Sequence, residues 1–205
     1  MINMVEFMVQ DNLSFFTSKV FDVLAQAFHY PYKLKDVQNL RNNIHEIEVY
    51  ISSFCNENVK RAFHTFKSLV DGITDIDKLT DVEIQFVELD KPYNTNLSLY
   101  ESIQRTGYYD LIIVSDLRNI YNLVGLNSKE EPDHISTEFG FLSLMYLLKS
   151  SRNEKVDDII DFFLETHVKK WVPTLLSNLA QSNYPYFKIL AEFTKEFMRC
   201  IGIED

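Results

Sequence analysis

Residues 130–148 read Glu-Glu-Pro-Asp-His-Ile-Ser-Thr-Glu-Phe-Gly-Phe-Leu-Ser-Leu-Met-Tyr-Leu-Leu. An acidic segment containing a proline gives way at Ile135 to a stretch that is apolar on most sides. Ile135, Phe139, Leu142 and Tyr146 line one face, and Phe141, Leu144 and Leu148 line another. A helix with apolar residues around most of its circumference must be enclosed by other elements. The stretch 135–148 therefore predicts a central helix and a fold built around it. Gly140 interrupts the stretch at a cost of about 1 kcal/mol relative to alanine, and is read as a mark of close packing against a neighbour.

Outward from this core the same helical period repeats. Leu13, Phe16, Val20, Phe21, Leu24 and Phe28 recur at three- and four-residue steps before Pro31, which stops a first helix. Leu34 to Phe54 predicts a second. Val59 to Val70, closed by Asp71-Gly72, predicts a third, and Ile76 to Leu89 a fourth; a loop over Asp90 to Asn96 contains Pro92. The β-branched run Leu111-Ile112-Ile113-Val114 suits either a helix or a short buried strand. Val114, Leu117, Tyr121 and Val124 continue at helical spacing to Gly125 and favour the helix, with the glycine just past its end. After the polar loop Asn127 to Pro132 and the central helix, Val156 to Trp171 predicts a helix broken near Pro173, and a last one runs from Tyr186 to Ile201. The reading is an all-α single domain covering residues 1–205, a bundle of about eight or more helices without a uniform repeat.

Composition agrees. With 16 Phe and 11 Tyr among 205 residues there is ample bulky material for one core, and five Gly and five Pro leave few tight turns for a sheet-rich fold. The net charge of −10 repels phosphate backbones and attracts basic segments, so nucleic acid is not an expected partner. Two cysteines, Cys55 and Cys200, without a C-x-x-C spacing, suggest neither a disulfide framework nor a thiolate metal site, and point to a reducing cytosol. No apolar run approaches the roughly 18 residues of a membrane span, and no export signal is visible. A soluble cytoplasmic protein without membrane insertion is the expectation.

Familiar catalytic chemistry has no foothold in the sequence. The five glycines form neither G-x-G-x-x-G nor a phosphate loop. His45-Glu46 lacks the second histidine of H-E-x-x-H. The acidic stretch Asp71, Asp75, Asp77 and Asp81 lacks the loop spacing of a calcium site and reads as a solvated turn. No cofactor or metal is expected.

Glu130-Glu131-Pro132-Asp133-His134, followed by Glu138-Phe139-Gly140-Phe141-Leu142, resembles the signature of the TorD/DmsD/NarJ chaperones, an E-(x)-P-D-H segment leading into a helix with E-x-x-F-L. Leu99-Tyr100-Glu101-Ser102, Leu117 to Tyr121 with Gly125, and His167-Val168-Lys169-Lys170-Trp171 fall in the same order as in that family, so the resemblance spans roughly residues 10 to 200. Either Glu130 or Glu131 matches the family's single acidic position. The resemblance implies a TorD-like helical fold, no turnover, and binding to the immature catalytic subunit of a molybdopterin oxidoreductase through its twin-arginine leader, as monomer or dimer, until cofactor insertion and assembly are complete. It does not name the client oxidoreductase.

The residues give this implication a physical form. A leader with arginines ahead of an apolar stretch needs carboxylates beside a groove of aromatic and aliphatic side chains. Glu130, Glu131 and Asp133 supply the first, and Tyr100, Phe139 and Trp171 the second, with Pro132, His134, Glu138 and Glu101 completing the expected partner-binding set. Each leucine-sized side chain buried is worth about 1.5–3 kcal/mol, so the groove sets most of the affinity and the carboxylates select for arginine. Simpler roles stand beside these: Asp133 as N-cap of the central helix, Glu138 contacting His134 one turn earlier, Glu101 at a helix start, and His167 with Trp171 as core packing. Two other functions also fit the same residues: a helical enzyme using Asp133, His134 and Glu138 as acid/base groups, or a generic helical interaction module.

Overall fold

The computed structural model describes residues 4–89, 91, 94–127, 131–151 and 156–203, with side chains from residue 12 onward. Glu130, and Asp90 and Pro92 of the predicted loop, lie outside the described residues. Among the described residues ten α-helices run in order: α1 Met4–Ala27, α2 Leu34–Phe54, α3 Glu57–Asp71, α4 Ile76–Leu89, α5 Glu101–Thr106, α6 Leu111–Leu123, α7 Ile135–Ser150, α8 Val156–Phe163, α9 Lys169–Ala180 and α10 Pro185–Cys200. A 3-10 turn over Thr95–Leu97 precedes α5, and a π-helical turn over Leu164–Val168 joins α8 to α9. Among the described residues there is no strand, only an isolated antiparallel bridge between Tyr100 and His134. No described helix is long and apolar enough to cross a membrane.

Local chemistry explains the boundaries. Pro31 follows α1, and Asp36 accepts the Lys33 N–H at 2.9 Å to start α2 in half of a capping box. Asn56 caps α3 by accepting the N–H groups of Asn58 and Val59 at 3.0 and 3.1 Å. Asp75 does the same for Lys78 at the head of α4, which is the use found for the acidic turn. The run Leu111–Val114 is helical, with Asp110 as its N-cap, and Gly125 takes a left-handed conformation (φ +78°) past the end of α6. Pro185 opens α10, where its missing N–H costs nothing.

Pro173 does not break its helix. It sits inside α9, and the irregularity lies upstream in the π-helical turn, where the backbone ladder widens before the proline removes one bond. The first helix reaches back to Met4, further than the period starting at Leu13 indicates.

α1 and α7 pack along much of their length at the centre, and α10 lies against α3 and α9. Phe21, Phe28, Phe139, Phe187 and Phe197 form a chain of ring contacts across these helices, with Phe21–Phe139 centroids 5.5 Å apart and Phe28–Phe139 5.8 Å. Phe63 and Phe66 of α3 each meet Phe193 of α10 at 5.6 Å. Cys55 and Cys200, distant in sequence, are brought together at the ends of α2 and α10 as free thiols, and burial pushes the Cys55 thiol up to about 12.

Gly140 packs against α1 without needing to be glycine. A methyl group there would meet the Ala25 Cβ at 4.0 Å, an ordinary contact, and its backbone is not left-handed. Gly140→Ala is therefore expected to stabilise the protein by about 1 kcal/mol through reduced freedom of the unfolded chain. A urea melt showing lower stability would place an unseen constraint at α1 and α7.

Candidate functional site

The segment Pro132-Asp133-His134 acts as a buckle between α5, α6 and α7. The Tyr121 hydroxyl of α6 donates to the Pro132 carbonyl at 2.8 Å. Glu101 N–H donates to the Asp133 carbonyl at 2.8 Å, and Ile135 N–H to the Leu99 carbonyl at 2.9 Å, which closes the bridge around Tyr100 and His134. The Asp133 side chain caps a helix, but the helix is α5: its Oδ2 accepts the Ser102 hydroxyl at 2.6 Å and the Ser102 N–H at 3.3 Å. His134 is the N-cap of α7, its Nδ1 facing the Ser136 N–H at 3.2 Å and the Ser136 hydroxyl at 2.9 Å. Burial, with His29 nearby, brings the His134 imidazole down to about 4, so it stays neutral and able to accept.

Behind the buckle lies a buried polar network. Glu101, Asp133 and Glu138 have no exposed surface, and His167 is 2 % exposed. Glu101 accepts from His167 Nδ1 at 2.9 Å and from Arg105 Nη1 at 2.5 Å. His167 Nε2 lies 3.5 Å from the Asp116 carboxylate, so the ring is held between two acids. Trp171 Nε1–H donates to Glu138 Oε2 at 3.2 Å. The other Glu138 oxygen has no donor among the described residues. Burial and then the adjacent Glu101 carboxylate raise Glu138 well above the usual carboxylate range. Asp133 is also raised, by burial, against the lowering effect of its Ser102 bonds.

On the other side of the buckle is open space. A cavity of about 660 Å³ is bounded by Tyr30, Phe86, Leu99, Tyr100, Glu131 and His134, with Glu83 and Tyr32 at its rim. The Thr137 hydroxyl, part of this lining, is buried and unpartnered among the described residues. A second cavity of about 420 Å³ adjoins it across Tyr30 and Tyr32 and includes Asp36 and Tyr186. Among the described residues, neither lining contains a lysine or arginine.

The expected partner-binding residues thus separate into two sets. Tyr100, Glu131 and His134 border the larger cavity. Glu101, Pro132, Asp133, Glu138, Phe139 and Trp171 are buried behind it, Phe139 between α1 and α7 and Trp171 against Glu138. Glu138 turns to Trp171 for its side-chain hydrogen bond, and His134 is engaged instead with Ser136. Asp133, His134 and Glu138 do not converge on one cavity, since only His134 lines it. Tyr30, Tyr32, Asp36 and Glu83, outside the expected partner-binding set, also line these cavities. Tyr30-Pro31-Tyr32, two aromatics around a helix-stopping proline, is the local pattern that points to this loop. Among the described residues no group of His, Cys, Asp or Glu is arranged to hold a metal ion.

Residues 55–177, well over half of the chain, match the family model described as nitrate reductase delta subunit, and the chain belongs to that family. It is a family of molybdoenzyme assembly chaperones of the TorD/DmsD/NarJ type, whose members are not catalysts. No curated protein matches the chain.

Proposed function

We propose that this protein is a cytoplasmic, system-specific chaperone that binds the immature catalytic subunit of a molybdopterin oxidoreductase, mainly through a twin-arginine leader, and assists cofactor insertion and assembly before export. The observation that carries the reading is the 660 Å³ cavity, walled by Tyr100 and His134, lined also by Glu83 and Glu131 and, among the described residues, free of lysine or arginine. An apolar segment preceded by arginines finds there both a surface that removes it from water and carboxylates for its guanidinium groups. Tyr100, Glu131 and His134 make the contacts, with Glu130 beside Glu131 in the chain. Glu101, Pro132, Asp133, Glu138, Phe139 and Trp171 hold those contact residues in place from within. Charge-assisted hydrogen bonds contribute roughly 1.5–3 kcal/mol, so the acids choose among leaders more than they hold them.

Calorimetric titration of a leader peptide tests this. Tyr100→Ala is expected to weaken binding of the peptide, and exchange of its arginines for lysine to weaken it by about tenfold. No binding by the wild-type protein, or full binding by Tyr100→Ala, removes the assignment. Equal affinity for arginine and lysine peptides removes the selective role of the acids alone.

A further inference from the structure

The two cavities meet along one ridge. His29, Tyr30, Tyr32 and Ser136 border both of them. Tyr30 and Tyr32 stand 4.9 Å apart between ring centroids, with His29 6.1 Å from Tyr32, and Tyr32 is 67 % exposed at the crest. Asp36 belongs to the 420 Å³ cavity on one side; Glu83 and Glu131 belong to the 660 Å³ cavity on the other. Both volumes lie within the range of about 300–1,000 Å³ typical of ligand pockets.

We infer that the ridge divides a two-socket site for two consecutive basic side chains of one extended polypeptide, with Asp36 facing the first socket and Glu83 with Glu131 facing the second. This rests on the leader-binding reading above and specifies how that site counts its arginines. In an extended chain, successive side chains point to opposite sides, so a backbone lying over the Tyr32 crest sends neighbouring residues into different cavities. Each guanidinium meets a tyrosine face and a carboxylate, a pairing that favours arginine, whose planar cation stacks on rings and forms forked hydrogen bonds. The buried, unpartnered Thr137 hydroxyl in the larger cavity adds an acceptor to the second socket. A single basic residue, or two separated by one residue so that both point the same way, fills one socket and leaves the other empty.

Pairwise cycles on the full chain test it. Leader peptides with Arg-Arg, with either arginine changed to glutamine, and with a glycine inserted between them are titrated against wild type, Asp36→Asn and Glu83→Gln. Asn at 36 retains an acceptor for the Lys33 N–H, and Gln at 83 keeps the side-chain shape, so circular dichroism is expected to be unchanged. Each variant is expected to bind the Arg-Arg peptide about tenfold more weakly, the scale of one charge-assisted contact. Each is expected to lose nothing further against the peptide lacking the arginine of its own socket, and the inserted peptide is expected to bind like a single-arginine one. If the wild-type protein binds the leader but both variants respond alike to both single-arginine peptides, or bind as wild type does, the two-socket site is overturned while leader binding stands. If the wild-type protein binds none of the peptides, both fall together.

Discussion

Glu101→Ala is expected to lower the stability of this protein by up to about 3 kcal/mol, while Glu138→Gln is expected to change it by about 1 kcal/mol or less. The two glutamates are neighbours with equal burial, so the contrast comes from charge. Glu101 is the acid that His167 and Arg105 both contact, and removing it leaves the buried His167 Nδ1 without its hydrogen-bond partner and opens a void beside it. Glu138 is raised well above the usual carboxylate range, which favours its neutral form, so the neutral amide of glutamine is expected to preserve an acceptor for Trp171. Urea denaturation of the two variants measures the difference directly; equal losses would mean that Glu138 is ionised in the folded protein.

The same argument fixes a pH dependence. The Glu138 pKa in the folded protein is raised above its value in the unfolded chain, so its contribution to stability is complete below the ordinary glutamate range near 4.5 and is lost as pH rises through the raised value. Asp133, raised from 3.8, acts in the same direction. The stability of wild type relative to Glu138→Gln is expected to be greatest below about pH 4.5 and to decline steadily as pH rises above it. A difference that stays flat or grows with pH contradicts a protonated Glu138.

Phe139→Ala is expected to cost about 3–5 kcal/mol, through lost transfer energy and the void left between α1 and α7. The ring is fully buried and touches both Phe21 and Phe28, and α1 and α7 are the pair on which the bundle is centred. Phe139→Leu refills part of that space and is expected to cost clearly less. Because the ring lies behind the cavity wall, a Phe139→Leu protein that remains folded is expected to bind the leader peptide as wild type does. Weakened binding by the folded variant would bring Phe139 into contact with the client.

Much of this was legible in the residues. Apolar spacing gave the helices, because a 3.6-residue period is a local property that any buried helical face must satisfy. It also settled the β-branched run at 111–114, since Val114, Leu117 and Tyr121 continue the period into α6. The break expected at Pro173 belongs to the π-helical turn upstream, because a proline's effect depends on how neighbouring turns absorb the missing bond. Asp133 has the identity of a cap and stands before α7, yet it caps α5; proximity in sequence selects a partner only when the chain does not fold back on itself, and here the Tyr100–His134 bridge brings α5 closer.

The sequence by itself determined the helices, the single core and, through the P-D-H segment and its flanking motifs, the family. These depend on periodicity and on residues adjacent in the chain, which survive in one dimension. Only the tertiary structure decided which acids are buried and which face a cavity, that Glu101 meets His167 from 66 residues away, and that Tyr30, Tyr32, Asp36 and Glu83 join Tyr100 around the open space. Burial and charge pairing are set by what packs against a side chain from distant helices, and no local pattern carries that information.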